Sequence, residues 1–305
     1  MYQSSQRPAS LIDYNTFMKT LLILLLTIHL FATEVTLQVL GSGGPEIDGR
    51  ASASYIVWVD NKARILIDTG SGSMLRFEES GAKLEDLELI ALTHLHIDHV
   101  VDLPSYVKAG YFTRRSAPLP IVGPIANRYF PSTNEYMELM FGEKGAYRYM
   151  SDVLTPKSDS FQIVPQSINA PQVITQKFTS FTLSIINVNH GIIPALAFRV
   201  DIGDKSILIS GDTSNKNDQL SRLAKGVDLF VAHHAITETH GTYANNLHMT
   251  PSIIGEVANT GSVKKVLLTH RMKRTLNKEE ISLQEIKKRY KGPVVFANDM
   301  MKIKL

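Results

Sequence analysis

Within the six residues 94–99, His94, His96, Asp98 and His99 offer three imidazoles and a carboxylate, all able to bind a metal ion. The apolar run 88–93 that precedes them reads as a strand, so the cluster sits on a loop leaving a sheet. There alternate residues can face one cavity. His94 and His96 can serve one ion while Asp98 and His99 serve a neighbour, about 3.5–4 Å away in two-metal hydrolytic sites. Such a pair would make water a nucleophile at neutral pH and polarise an ester. The alternative, a surface loop that happens to carry histidines, leaves four ligand-type side chains in one short stretch without a cause. The chain has no cysteine, which excludes thiolate metal sites, cysteine nucleophiles and disulfides together. Any metal must therefore be held by histidines and carboxylates.

The elements that must position this cluster alternate without a linker-like break from Glu34 onward. Residues 35–40, 54–59, 64–67 and 88–93 read as strands, and 103–110 and 126–141 as helices with apolar residues at helical spacing. The Ser- and Pro-rich stretch 142–171 is irregular and reads as an insertion or lid over the site. Strands are expected at 181–188, 195–200 and 206–209. Beyond Asp212, helices at 219–225, 251–259 and 278–290 alternate with strands at 228–232 and 263–269, and 294–297 reads as the last strand. Early strands followed by βα units imply a layered α/β domain.

At 305 residues, 44% of them apolar, the chain can bury a large core. Its net charge of +3 argues against a nucleic-acid footprint. The basic residues at 264–265, Arg271, Lys273 and Arg274, and those at 287–291, read as solvated faces. Near the N-terminus, Met18-Lys19-Thr20 precedes the apolar run 21–31 and then Ala32-Thr33, the pattern of a secretory signal. The run is short for a membrane span; a buried helix or strand is the other reading. Residues 1–33 are thus expected to be a signal region with an N-terminal extension, and 34–305 a single hydrolase domain, exported to the periplasm or secreted, without a stable membrane span.

Thr93 to His99 spells T-H-x-H-x-D-H, which resembles the signature of the metallo-β-lactamase superfamily. Further landmarks follow in the family's order. They are Gly41-Ser42-Gly43-Gly44-Pro45, Ile67-Asp68-Thr69-Gly70, His190-Gly191, Ser210-Gly211-Asp212-Thr213 and Leu268-Thr269-His270. The resemblance implies an αββα sandwich, two mixed β-sheets flanked by helices. It further implies two Zn²⁺ per chain: His94, His96 and His190 would hold one, Asp98, His99 and His270 the other, and Asp212 would bridge them. Mn²⁺ or Fe²⁺ would also suit such ligands. Asp68 would orient a histidine or the loop behind the ligands, or simply form the turn before Gly70.

Within the superfamily the pattern is similar to the branch holding ribonuclease Z and the zinc-dependent arylsulfatases. Residues 229–235 resemble the ribonuclease Z strand ending in His-Glu-Ala-Thr, although this chain reads His233-His234-Ala235-Ile236. The resemblance makes His233 a catalytic group that protonates the leaving group or stabilises the transition state; a structural role for His233 or His234 is the alternative. His248-Met249-Thr250 resembles the branch's His-Ser-Thr segment and makes His248 a substrate-binding residue, with His240 a weaker candidate. Residues 50–55, Asp102-Leu103-Pro104 and Tyr111-Phe112-Thr113-Arg114 resemble the arylsulfatases. That likeness implies hydrolysis of an aryl sulfate. A zinc-bridging hydroxide would attack sulfur, Asp98 would orient it, and Arg114 or Arg115 would steady the anion or else be solvated. No Cys/Ser-x-Pro-x-Arg motif for a formylglycine sulfatase is present. The alternative is a phosphodiesterase acting on cyclic nucleotides or small phosphodiesters; a lactonase or β-lactamase comes third. A binding protein without chemistry is disfavoured because all seven ligand positions are filled. The expected partner is a small anionic ester, with no nucleic acid; a homodimer is admitted.

Overall fold

Alternation decides which way each strand faces. In β1 (Val35–Gly41), β2 (Ser54–Val59) and β3 (Lys62–Ile67), Leu37, Tyr55, Val57, Ile65 and Ile67 enter one cluster. Leu40, Ile56 and Leu66, on the opposite face of the same strands, enter another. Strands apolar on both faces need a layer on each side. The computed structural model describes residues 33–156, 161–239 and 241–305; the expected signal region 1–33, apart from Thr33, and His240 lie outside the described residues. No helix among these residues is long and apolar enough to cross a membrane.

The chain continues with β4 (Leu89–Ala91), β5 (Leu119–Pro124), β6 (Ile163–Ile168), β7 (Ile174–Lys177), β8 (Thr182–His190), β9 (Ile193–Ile202), β10 (Lys205–Ile209), β11 (Leu229–His233), β12 (Lys265–Thr269), β13 (Val294–Phe296) and β14 (Lys302–Lys304). They form two mixed sheets, β14-β1-β2-β3-β4-β5-β6 and β13-β12-β11-β10-β9-β8-β7. Their facing sides enclose one cluster that includes Phe198. The helices are α1 (Ser73–Glu79), α2 (Ile97–Val100), α3 (Leu103–Gly110), α4 (Thr133–Phe141), α5 (Ser221–Ala224), α6 (Thr242–Asn245), α7 (Pro251–Thr260) and α8 (Glu279–Arg289). Phe77, Tyr106 and Met137 from α1, α3 and α4 cover the first sheet. Ile254, Val257 and Ile286 from α7 and α8 cover the second, over Phe230. The result is the expected αββα sandwich. Phe198 and Phe230 are fully buried, and truncating either to alanine should cost about 3–5 kcal/mol.

Three expectations need correction. The helix read over 126–141 starts only at Thr133, because Ser132 and Glu135 form a reciprocal capping box. Residues 126–131 ahead of it are a loop. The described part of the stretch 142–171 is not irregular throughout. It contains a 3-10 turn, Arg148–Leu154, and β6, which pairs in parallel with β5 at the first sheet's edge; Pro165 disguises the strand pattern. The segment 294–297 is not the last strand, since β14 follows and pairs antiparallel with β1. Just before β14, the Asp299 carboxylate accepts hydrogen bonds from the Ser42 amide (2.9 Å), the Ser42 hydroxyl (2.8 Å) and the Ala51 amide (2.8 Å). Helix α1 and strand β7 also escaped the sequence reading.

Candidate metal centre

Six segments leave the ends of β3, β4, β8, β10, β11 and β12 carrying Asp68, residues 94–99, His190, Asp212, His233 and His270. Their His and Asp side chains are all buried except His96, which is half-buried. Backbone geometry aims two of them. Asp68 and His270 hold left-handed φ angles of 55° and 51°, which non-glycine residues rarely adopt, least of all a bulky one. Gly70 is required for a different reason, since a Cβ there would lie 2.3 Å from the Asp98 carbonyl oxygen.

His94, His96, His190 and Asp212 form one group able to hold a metal, with ligand atoms within 4.8 Å of one another. His96 Nδ1 lies 3.0 Å from His94 Nε2 and 3.4 Å from His190 Nε2. The far nitrogens are already committed. His190 Nδ1–H donates to the Leu247 carbonyl at 2.8 Å. His94 Nδ1 lies 3.1 Å from the Thr93 hydroxyl, whose own proton goes to Asp68 Oδ2 at 2.7 Å, so His94 is the donor. His94 and His190 therefore turn lone pairs toward the same point. A cation satisfies that arrangement; one shared proton cannot.

Asp98, His99 and His270 gather on the other side of Asp212. Asp98 Oδ2 is 3.2 Å from His270 Nε2 and 3.6 Å from His99 Nε2. The Asp68 carboxylate accepts from His99 Nδ1 (2.8 Å) and from the Thr93 amide (2.7 Å). That fixes the ring and leaves His99 Nε2 buried without a hydrogen-bond partner, as a ligand awaiting a metal would be. Asp212 Oδ2 lies 3.9 Å from His94, 3.9 Å from His99 and 3.7 Å from His190, while Oδ1 is 3.6 Å from His270. One carboxylate thus faces both groups.

Charges are strongly coupled here. Burial alone would raise the Asp98 pKa, but His99 and His270 pull it down to about 2. Burial would lower His99, yet Asp68 and Asp98 raise it to about 9. Metal binding must therefore displace a proton from His99. Burial, with His99 and His190 nearby, holds His94 neutral, well below the usual histidine range.

Two of the expected site residues sit in surroundings that do not suit the roles assigned to them. His233, with His99, Asp212 and His270, forms the second group of donors within 4.8 Å of one another, from which Asp98 is missing; both His233 nitrogens are nevertheless engaged: Nδ1–H donates to Asp212 Oδ1 at 2.8 Å, and Nε2 accepts from the Tyr55 hydroxyl at 3.0 Å. Burial pushes its pKa down to about 4. It braces the Asp212 carboxylate and has no unpartnered nitrogen. His248 has one. Its Nδ1 lies 3.8 Å from Asp212 Oδ2 and makes no hydrogen bond. Arg114 is remote. Its amide bonds to Glu85, and Arg115 is tied to the Leu84 and Leu87 carbonyls, so both lie where β4 begins, whereas His94 follows where β4 ends. The sequence reading gave no role to Thr93 or Tyr55. The signal for Tyr55 was a phenol on the inward face of an apolar strand, where its hydroxyl must find a partner.

The description of the metallo-beta-lactamase superfamily matches residues 47–247. The chain belongs to this superfamily. Ribonuclease Z of Mycobacterium bovis is 30% identical over 215 residues, 65% of this chain and 69% of that protein, which places the chain in the ribonuclease Z-like branch. In fold, the chain is similar to the metallo-beta-lactamase fold protein YhfI from Bacillus subtilis, with a TM-score of 0.70, 18% identity, and 90% and 100% of the two chains covered. Human tRNase Z, short form, gives a TM-score of 0.67 at 20% identity, covering 88% and 98%. The family is one of metal-dependent hydrolases.

Proposed function

We propose that the chain hydrolyses a phosphodiester at a centre of two divalent ions, zinc by preference. The observation that carries this is the single carboxylate of Asp212 set between two converging donor groups, in a chain related to a ribonuclease Z. His94, His96 and His190 would hold one ion and Asp98, His99 and His270 the other. Bound there, the ions would supply charge to neutralise the ester's oxyanion and to activate water.

The chain's own residues do the rest. Asp68 holds the His99 ring, and His233 holds Asp212. Asp98, ionised at neutral pH, orients the attacking water. His248, whose Nδ1 lies unpartnered beside Asp212, is held neutral by burial, which lowers its pKa to about 3, and is placed to hydrogen-bond the bound ester. The aryl sulfate reading loses its anion clamp, because Arg114 lies at the other end of β4, and the identified relative acts on RNA, whose links are phosphodiesters.

Zinc-loaded protein assayed on bis(4-nitrophenyl) phosphate and 4-nitrophenyl sulfate distinguishes the two. Phosphodiester kcat/KM should exceed the sulfate value by at least about 100-fold. Equal rates, or faster sulfate turnover, would restore the sulfatase reading.

A further inference from the structure

The loop before α4 borders a groove of about 800 Å³. We propose that this groove seats an aromatic ring attached to one side of the scissile phosphodiester, a nucleobase or an aryl group, and excludes a continuing phosphate chain. The proposal rests on the phosphodiester reading above.

Phe130 is a wall shared by groove and centre. It lines the groove, and its ring centroid lies 5.8 Å from that of His96, the half-buried ligand candidate. The loop is preset rather than loose. Asn127 Oδ1 accepts from the Tyr129 amide (2.8 Å) and the Phe130 amide (2.9 Å), and its side-chain amide donates to the Ile192 carbonyl at 2.6 Å. Ile192 lies two residues beyond His190, so the loop is tied to the outer ligand set at two points.

The lining suits a flat ring. Tyr129 and Leu139 are 63% and 58% exposed, apolar surface that a ligand would cover. The Arg128 guanidinium lies 5.6 Å from the Tyr129 ring centroid, which adds a cationic plate to the aromatic wall. Glu135, Glu138 and Glu143 outnumber Arg128 and Lys144 along the groove. Successive phosphates would meet carboxylates there and forgo the favourable counterion release of a basic track. A base with exocyclic amines would instead find acceptors.

Adenosine 5′-phosphate and ribose 5-phosphate share the phosphate and differ in the base, so calorimetry on zinc-loaded full-length protein isolates the groove. The nucleotide should bind at least about 10-fold more tightly, in line with base–aromatic stacking. Phe130→Ala and Phe130→Leu should erase that gap while leaving ribose 5-phosphate within about twofold of the unaltered protein. The leucine variant keeps an apolar side chain to support the loop. Equal affinities in the unaltered protein, or a gap that survives both variants, would overturn the groove assignment. So would an eight-residue oligothymidylate binding more than about 10-fold tighter than thymidine 5′-phosphate. If neither phosphate compound binds zinc-loaded protein, the phosphodiester reading itself falls, and the groove assignment with it.

Discussion

The two halves of the centre are built differently. In the inner half, Asp98, His99 and His270 are all buried, and a carboxylate, Asp68, backs His99. In the outer half, His96 is half-buried. Its neighbours there are backed only by neutral groups, the Thr93 hydroxyl and the Leu247 carbonyl. Leu247 follows α6, a helix with no buried residue, whereas Asp68 follows directly from a core strand. The inner half is thus closed by buried side chains, and the outer half, whose His94 and His190 are equally buried, opens only at His96.

The contrast can be broken at its shared point. Asp212→Ala removes the carboxylate common to both halves and should lower kcat/KM by at least about 1,000-fold, with metal content falling below about one ion per chain by elemental analysis. Asp68→Ala tests the asymmetry. It frees the His99 ring and should weaken the inner ion by about 10–100-fold, so a chelator titration becomes biphasic. Simultaneous loss of both ions would contradict separate halves. Tyr55→Phe is milder. It leaves His233 Nε2 buried and unpartnered, and should cost about 1–3 kcal/mol in denaturant unfolding, with nearly normal turnover. Arg114→Ala, at the far end of β4, should change kcat/KM by less than about twofold; a larger loss would move the substrate site away from His96.

The fold was legible where periodicity is strong. β2 is bounded as its sequence suggests, and α3 spans the expected 103–110. Boundaries failed where a local device overrode periodicity, as the capping box at Ser132 did for α4, and where a proline interrupted an edge strand, as in β6. Of the two donor groups that the structure brings together, the resemblance pointed to every member as a ligand except His233, because their spacing on strand ends is set by the fold. What it did not reveal was orientation. His233 and His248 are equally eligible as letters. Only the engagement of both His233 nitrogens, one by a tyrosine distant in sequence, sets it apart from His248, whose Nδ1 is buried but unpartnered. Arg114 failed for a related reason, since nothing in a sequence says at which end of a short strand a flanking loop will lie.

The return of β14 to β1 has a kinetic consequence. The first strand of the domain gains its outer neighbour, and the Ser42 turn its Asp299 acceptor, only once residues 299–304 have been synthesised. His270 too comes late. A ribosome-bound chain therefore carries its four early ligand candidates, His94 to His99, long before a complete centre exists. These pairings of high sequence separation should make the closing of the first sheet a slow step.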